Sequence, residues 1–340
     1  MDESAHIVDV LLDADVLGRQ RTGDETYVEN LLRALPAAAP ELCFAAVTRH
    51  PERVPEGIKA LPLTAGSQEL RMAWRLPRLL RRARPRLGHY QHALPLRPVG
   101  ATVLTVHDLS FERDPELMPF KDRLVFKTTV PRSARRADRV ITVSERTRDD
   151  VIELYRIPKE KIRVIPHGVD PAFVPGVGTG ERYLLFVGAV QRRKDPWAAL
   201  EAAQDVQLPL VIAGPEREPA LARELRQRGA DLRGYVEKPK LAELYRGAVC
   251  LVVPSRYEGF GLPVLEAMAS GVPVVAARDP ALMEVAADAA VYADQGDLAG
   301  AILRAVEHQA DLRAAGLARA AQFSWAETAR RTVDVYRELL

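Results

Sequence analysis

The chain has little of several features that would narrow its function at once. It has only two cysteines, Cys43 and Cys250, each in an apolar run (LCFAAV and AVCLVV). Two isolated thiols so placed offer neither a metal-ligand cluster nor a disulfide framework, and we expect both to be buried. The formal net charge is only +2, so no excess of positive charge indicates a nucleic-acid partner.

Long apolar runs are also missing. None approaches the roughly 20 residues that a membrane-spanning helix needs. The N-terminal sequence MDESAHIVDVLL begins with acidic residues and lacks the basic start and long apolar core of a signal peptide. These absences predict a cytoplasmic protein. What remains is 340 residues, 47% of them hydrophobic, which is enough for two α/β domains with separate cores.

Short apolar runs alternate with helix-length amphipathic segments along the whole chain. Before residue 180, a helix is predicted over 25–35 and buried strands over 7–12, 43–47, 101–106 and 139–143. After it, the strand-like runs are YLLFVG, LPLVIAG, AVCLVVP and VPVVAA. Continuous apolar runs alternating with helices predict an α/β fold with parallel sheets covered on both faces.

A segment rich in proline and glycine separates these two series. PAFVPGVGTGERY, residues 171–183, has no apolar periodicity and is typical of an inter-domain linker. It lies almost at mid-chain. We therefore predict one domain over 1–172 and a second over 173–323.

The most informative stretch is PSRYEGFGLPVLEAMASGVPVV, residues 254–275. A buried strand ends at Pro254, and a helix is predicted to begin near Leu262, with Pro263 in its first turn. Gly259 and Gly261 remove the side chains that would keep a phosphate away from the backbone N–H groups at a helix N-terminus. The alternative is a tight strand-to-helix turn with no ligand.

Two carboxylates flank this loop. Glu258 is placed to accept hydrogen bonds from sugar hydroxyls, and Glu266 to accept them from a ribose. The structural alternative makes Glu258 a turn residue and Glu266 a solvated helix residue. However, Glu266 stands in LPVLEAMAS, where an acid is unusual because the other residues are mostly apolar.

The spacing from Glu258 to Glu266 resembles the E-x7-E element of the retaining glycosyltransferases of family 4 (glycosyl transferases, group 1). The resemblance extends over nearly the whole chain, through the motifs RTGDETYVENLLRAL, TVHDLSF, VITVSERTRDDV, IRVIPHGVDP, VGAVQRRKDP and FSWAETARRTVDVY. It implies a GT-B fold: two Rossmann-like doubly wound domains that face a central cleft. The first binds the acceptor and is rejoined by a closing helix over 324–340, and the second binds the donor.

The resemblance also implies roles for particular residues. Glu258 would hold the donor sugar, Glu266 the nucleotide ribose, and Lys194 the donor diphosphate. The family often has an arginine where this chain has Ala189, so either Arg192 or Arg193 has to supply that charge. Without the resemblance, these basic residues would be an ordinary solvated turn.

In the first domain, the family places His107 beside the donor sugar, although a histidine at a strand end is by default a structural residue. The first loop usually carries two glycines near the diphosphate, whereas here it reads Arg21-Thr22-Gly23-Asp24-Glu25. Gly23 still permits close backbone approach, but Asp24 suits an acceptor better than a phosphate. The remaining residues expected around the donor are Gly188, Tyr235, Val236, Phe260 and Leu262.

The implied function is transfer of a hexose from a nucleotide-diphosphate sugar to a hydroxyl of a glycan, glycolipid or small molecule, with retention of configuration. No metal and no further cofactor is expected. The alternatives are a nucleotide-sugar epimerase and a non-catalytic nucleotide-sugar binder on the same fold. A glycosidase also uses paired carboxylates but has no use for a phosphate-type loop between them.

One segment adds a question about membranes. Residues 71–86, RMAWRLPRLLRRARPR, predict a basic amphipathic helix in which Arg71, Arg75, Arg78 and Arg82 share one face. Such a helix can lie on an anionic membrane, here the inner face of the cell membrane, where lipid-linked acceptors would be found. The alternative is a surface helix with a solvated arginine face. Pro77 argues against an unbroken helix unless the helix begins there.

Overall fold

The computed structural model describes residues 8–19, 22–114, 120–178, 180–294 and 296–340. The chain forms two compact units. The first comprises the residues up to Gly168 together with Trp325–Leu340, and the second is Val169–Ser324. The contact boundaries thus follow Gly168 and Ser324, whereas the sequence pattern placed them after residues 172 and 323.

The first unit is built on a seven-stranded parallel sheet in the order β3-β2-β1-β4-β5-β6-β7. Its strands are β1 (Val10–Asp13), β2 (Phe44–Thr48), β3 (Lys59–Pro62), β4 (Leu87–Gln91), β5 (Ala101–Val106), β6 (Arg139–Thr142) and β7 (Ile162–Val164). Its helices are α1 (Thr22–Ala38), α2 (Gln68–Leu70), α3 (Leu76–Ala83), α4 (Ser110–Arg113), α5 (Phe120–Arg136), α6 (Glu145–Tyr155) and the closing helix (Trp325–Arg337).

Four of these strands follow the apolar runs of the sequence, although the run predicted over 7–12 begins at Ile7, outside the described residues. Their residues are buried because helices cover the sheet, as a parallel sheet requires. The prediction that both cysteines are buried is half right. Cys250 is buried, but Cys43 is exposed. It precedes β2, at the edge of the sheet where its N–H donates to the Asp9 carboxylate, 3.0 Å away.

Hydrogen bonds fix the closing helix within the first unit. The hydroxyl of Tyr336 lies 2.6 Å from Nδ1 of the buried His89, and Thr328 donates to the carbonyl oxygen of Pro166 at 2.8 Å. The other ring nitrogen of His89 lies 2.7 Å from the hydroxyl of Thr105 on β5. Both nitrogens of a buried imidazole are therefore satisfied, which makes this junction specific as well as apolar.

The second unit has a six-stranded parallel sheet in the order β10-β9-β8-β11-β12-β13. Its strands are β8 (Tyr183–Val187), β9 (Leu210–Ala213), β10 (Asp231–Gly234), β11 (Ala248–Val253), β12 (Val274–Ala277) and β13 (Val291–Ala293). Its helices are α7 (Pro196–Asp205), α8 (Pro219–Gln227), α9 (Lys238–Gly247), α10 (Leu262–Ala269), α11 (Pro280–Ala286), α12 (Leu298–Glu307) and α13 (Gln309–Ala320).

Each sheet has a point where the strand order reverses. In the first unit the chain runs from β1 outward to β3 and then returns to place β4 on the other side of β1. In the second unit it runs from β8 outward to β10 and returns to place β11 beside β8. Ligands of open parallel sheets bind at the carboxyl ends of the strands at such switch points. The two switch points are therefore the places to look for sites.

The basic segment does not form one helix. It consists of α2, a π-helical turn (Arg71–Arg75) and α3, which has Pro77 in its first turn. The π turn shifts the helical phase, so Arg71 is fully buried and donates to both carboxylate oxygens of Asp13. The expectation that Arg71 shares the solvent face is therefore wrong. Within the described residues, no helix is both long and apolar enough to cross a bilayer.

Candidate functional site

The switch point of the second unit brings together an ion pair from two motifs that are far apart in sequence. Lys194 follows β8 and Glu258 follows β11, the strand beside it. Nζ of Lys194 lies 2.5 Å from one carboxylate oxygen of Glu258 and 2.7 Å from the other. Both side chains are largely buried. The sequence named both residues, and the structure places them in direct contact.

Glycines allow the loops after the strands to approach this closely. A Cβ on Gly214, after β9, would lie only 1.9 Å from the carbonyl oxygen of Gly188, after β8. The side chain of Lys194 then passes Gly188, where a Cβ would contact its Cε at 3.8 Å. A short 3-10 turn, Arg192–Lys194, ends at Asp195, which adopts a left-handed conformation and caps α7. These features aim Lys194 across the switch point.

The structure separates the two arginines beside Lys194. Arg193 is mostly buried, donates to the carbonyl oxygen of Tyr257 at 2.6 Å and lies 3.8 Å from the Glu258 carboxylate. Arg192 is 77% exposed and lies 3.4 Å from Glu218. Arg193 is therefore the arginine that joins the ion pair, and the arrangement does not bring Arg192 to it.

Positive charge determines the ionisation of Glu258. Burial alone would raise the pKa of this carboxyl, but Lys194 and Arg193 outweigh burial and hold the pKa below its ordinary value. The backbone N–H of Glu258 also donates to the carboxylate of Asp279 at 3.3 Å. Asp279 caps α11 by accepting from two further N–H groups, those of Ala281 and Leu282. Glu258 is thus a fixed anion next to two cations.

The loop between Glu258 and α10 has the backbone geometry expected from its glycines. Gly261 adopts a φ of 113°, which a residue with a side chain rarely reaches. A Cβ there would also lie 2.8 Å from Leu282. α10 begins at Leu262 with Pro263 in its first turn, and among the described residues no side chain caps this end. Phe260 is buried, 6.2 Å from the Phe323 ring. Gly259 completes the turn.

Glu266 is buried on α10, as its apolar surroundings in the sequence suggested. Burial raises its pKa to about 7, a hydrogen bond from the Tyr245 hydroxyl acts against this rise, and Asp170 adds to it. That hydroxyl lies 2.7 Å from the carboxylate. Lys238 is engaged by Asp170 at 2.5 Å. Glu266 therefore has no direct cationic partner of the kind that Glu258 has.

His107 lies in the first unit, after β5. Its Nε2 is 2.9 Å from the side-chain oxygen of Gln91. The ring packs against Tyr27 at 4.8 Å and His92 at 5.2 Å between centroids. Burial lowers the pKa of His107 to about 4, against an opposing effect of Asp24. The ring is therefore neutral at pH 7.

The remaining predicted residues are less constrained by their neighbours. Gly23 lies in the first turn of α1, where a Cβ would meet nothing within 4 Å. Arg21, in the same loop, lies outside the described residues. Tyr235 is exposed and Val236 half-buried, just after β10. The predicted assignment of these residues to the donor rests on the family motif.

Two family models together match most of the chain. Residues 21–173 match the model described as Glycosyltransferase Family 4, and residues 172–322 match Glycosyl transferases group 1. Among curated proteins, the O-antigen chain mannosyltransferase B of Escherichia coli is 32% identical over 268 residues, 70% of this chain and 70% of that protein. The D-inositol 3-phosphate glycosyltransferase of Acidothermus cellulolyticus is 34% identical over 60% of this chain, which spans only 54% of that relative.

Solved structures match over almost the full length. Sucrose-phosphate synthase from Thermosynechococcus elongatus has a TM-score of 0.76 and 22% identity, covering 97% of this chain and 98% of that one. Anabaena HepE in complex with UDP-glucose also gives a TM-score of 0.76, with 16% identity over 97% and 99% of the two chains. The fold is thus that of the GT-B glycosyltransferases. The chain belongs to the group 1 glycosyl transferases, glycosyltransferase family 4.

Sequence reasoning did not single out four polar residues at these sites: Asp279, Tyr245, Gln91 and His92. Asp279 and Tyr245 become visible only once α11 and α9 are placed beside α10. Gln91 and His92 follow β4, a strand that the pattern did not predict because LGHYQ contains no continuous apolar run. A search for polar residues at the carboxyl ends of strands would have found them only if β4 had been recognised.

Proposed function

We propose that this glycosyltransferase moves a hexose from a nucleotide-diphosphate sugar to a hydroxyl acceptor, with retention of anomeric configuration and without a metal. The observation that supports it most directly is the contact of Lys194 and Arg193 with Glu258 at the switch point of the second sheet. A diphosphate needs cations and N–H donors, and a sugar needs a fixed carboxylate. Both kinds of group meet here.

The reaction that we propose balances without a cofactor. An acceptor hydroxyl oxygen forms a bond to the anomeric carbon, and the bond from that carbon to the diphosphate oxygen breaks. The hydroxyl proton passes to the departing phosphate, on the same face of the sugar. Lys194 and Arg193 stabilise the negative charge that develops on the diphosphate, and one such donor typically contributes about 10²- to 10³-fold in rate.

Glu258 and Glu266 have different parts in this proposal. Glu258 is ionised and fixed, so it can accept hydrogen bonds from donor sugar hydroxyls. Glu266 stands on α10, about one turn past Gly261, where it would accept from the ribose hydroxyls of the nucleotide. The family motif assigns both roles. In support, both carboxylates are buried and held by hydrogen bonds.

The direct test is to incubate the protein with UDP-, GDP- and ADP-hexoses, with and without acceptors, and to follow release of the nucleoside diphosphate. NMR of the product reports its anomeric configuration, and the assay is repeated with EDTA. We expect acceptor-stimulated release, a retained anomer and no loss in EDTA. A new sugar nucleotide formed without acceptor would favour the epimerase, and binding without turnover a non-catalytic role.

We also propose that α2, the π turn and α3 carry a surface for an anionic membrane, where a lipid-linked acceptor would lie. Two large apolar side chains project from it: Trp74 is 67% exposed and Leu70 is 55% exposed. The arginines beside them that are exposed include Arg75, Arg78 and Arg82. Exposed tryptophan next to several arginines suits the interface of an anionic bilayer.

A further inference from the structure

Three side chains with metal-binding atoms meet at the switch point of the first sheet. Asp24 lies in the first turn of α1, which follows β1. His92 follows β4 and His107 follows β5. One ligand atom from each lies within 4.8 Å of the others, and Nε2 of His92 is 3.8 Å from the Asp24 carboxylate. Because β1 and β4 are adjacent, the cluster occupies the position where an open sheet binds ligands.

We propose that Asp24, His92 and His107 bind one divalent transition-metal ion of the zinc class. Two imidazoles and one carboxylate form a ligand set that suits Zn²⁺, Co²⁺ and Ni²⁺ better than Mg²⁺ or Ca²⁺, which prefer all-oxygen sites. This site goes beyond the transfer reaction proposed above, which requires no metal and whose ion-paired residues lie in the second unit.

The contact between His107 and Gln91 prepares one ring nitrogen for an ion. Nε2 of His107 donates to the side-chain oxygen of Gln91, which leaves Nδ1 with the lone pair. Metal-binding histidines commonly donate their other N–H to such a partner, which fixes both the tautomer and the orientation of the ring. Burial keeps this ring neutral, so an ion would displace no proton from it.

His92 is held in an unusual conformation that turns it toward Asp24. Its φ is 57°, uncommon for a residue other than glycine. Its backbone N–H donates to the carbonyl oxygen of Thr105 at 2.9 Å. In the part of the chain that the structure describes, its buried Nδ1 has no hydrogen-bond partner. Backbone strain of this kind often marks a functional position, and an ion on Nε2 would account for it.

Asp24 supplies the charge and the way in. The first turn of a helix favours an acid through the helix dipole, but that does not explain why two imidazoles face it. The Asp24 side chain is 35% exposed, so an ion can reach the cluster from solvent. Metal–ligand bonds of about 2.0–2.1 Å require a smaller spacing than 4.8 Å, so Asp24 has to move inward by roughly 1 Å.

The test measures metal binding by the full chain after treatment with a chelator and its removal. We expect Zn²⁺ to bind with one-to-one stoichiometry in isothermal titration calorimetry. Asp24→Asn and His92→Gln, which are close in size to the native residues, are each expected to weaken binding at least about 10-fold. His308→Gln and His50→Gln are the matched controls, because both alter exposed histidines elsewhere, and neither should change the affinity.

Cobalt gives a second readout that does not depend on stability. Co²⁺ bound by nitrogen and oxygen ligands should give visible d–d absorption bands that are lost in His92→Gln. Circular dichroism confirms that each variant is folded. The proposal is overturned if the wild-type chain shows no saturable one-to-one binding, or if His50→Gln abolishes it while Asp24→Asn does not. No sugar nucleotide is present, so the outcome is independent of the transferase assay.

Discussion

The ion pair between Lys194 and Glu258 is costly to break from one side only. Glu258 is buried, so removal of Lys194 leaves its carboxylate with Arg193 at 3.8 Å as the remaining cation. An uncompensated buried charge typically destabilises a protein by about 3–5 kcal/mol. Loss of activity in a Lys194 variant could therefore reflect unfolding instead of chemistry, and a useful experiment has to separate the two.

Lys194→Ala is expected to reduce transfer by about 10²- to 10³-fold and to lower the free energy of unfolding. Glu258→Gln keeps the shape of the side chain and removes the charge, so the double variant should recover part of that stability without recovering activity. Steady-state kinetics and urea unfolding measure the two effects. Lys240→Ala, an exposed lysine of the same unit, is the control. Near-normal turnover by folded Lys194→Ala would contradict the assignment.

Glu266 gives a prediction about pH. Its pKa in the folded chain is about 7, above the ordinary value of 4.5, chiefly because of burial. Between these two values the folded state holds a proton that the unfolded state has lost. Stability is therefore greatest below about pH 4.5 as far as this group is concerned, and falls as pH rises toward 7. The full effect is about 3 kcal/mol.

Glu266→Gln removes this titration. We expect the variant to gain stability relative to the wild type as pH rises from 5 to 7.5, measured as the difference in the free energy of unfolding in urea. Glu307→Gln, an exposed acid on α12, should show no such trend. A difference between Glu266→Gln and wild type that does not change with pH would mean that Glu266 is ionised throughout this range.

At the residue scale, sequence reasoning succeeded where a motif fixed the position. It named Lys194 and Glu258, which lie in contact, but left Arg192 and Arg193 as alternatives. The choice between them depends on which one faces β11, and a turn of consecutive arginines does not reveal its own orientation. His92 was missed because its importance comes from its position beside Asp24 and His107, which are distant in the chain.

At the scale of elements, continuous apolar runs predicted strands well, because a strand buried on both faces has to be apolar throughout. They failed for edge or partly polar strands such as β3, whose residues are largely exposed or half-buried. The basic segment failed for another reason. A π turn was not predictable from helical periodicity, yet it moves Arg71 from the solvent face to the Asp13 carboxylate.

That rearrangement sharpens the membrane proposal. Substituting Trp74→Ser should reduce flotation with vesicles that contain anionic lipid at low salt, because it removes the exposed ring that would enter the interface. Leu303→Ser is the matched control, since Leu303 is a similarly exposed apolar residue on α12 of the second unit. The wild-type chain should detach as salt rises, because each arginine near the surface contributes about 1 kcal/mol through electrostatics. Wild-type protein that stays with the soluble fraction at low salt would exclude this surface.

At the scale of the whole molecule, the two units have separate apolar cores. Separate cores allow separate unfolding transitions. A ligand stabilises the part of a chain that it binds, by about 2.7 kcal/mol at 100 times its dissociation constant. Nucleoside diphosphates should therefore act first on the unit that contains Lys194 and Glu258.

Differential scanning calorimetry with UDP, GDP and ADP tests this directly. We expect one of the three to raise the transition of the second unit by several degrees, and the double variant of Lys194→Ala with Glu258→Gln to lose most of that rise. Lys240→Ala should keep it. To assign the transitions, Tyr336→Phe removes the hydrogen bond to His89 and should lower only the transition of the first unit, because both residues lie there. A nucleotide effect confined to that transition, or an undiminished one in the double variant, would place the diphosphate site away from the switch point between β8 and β11.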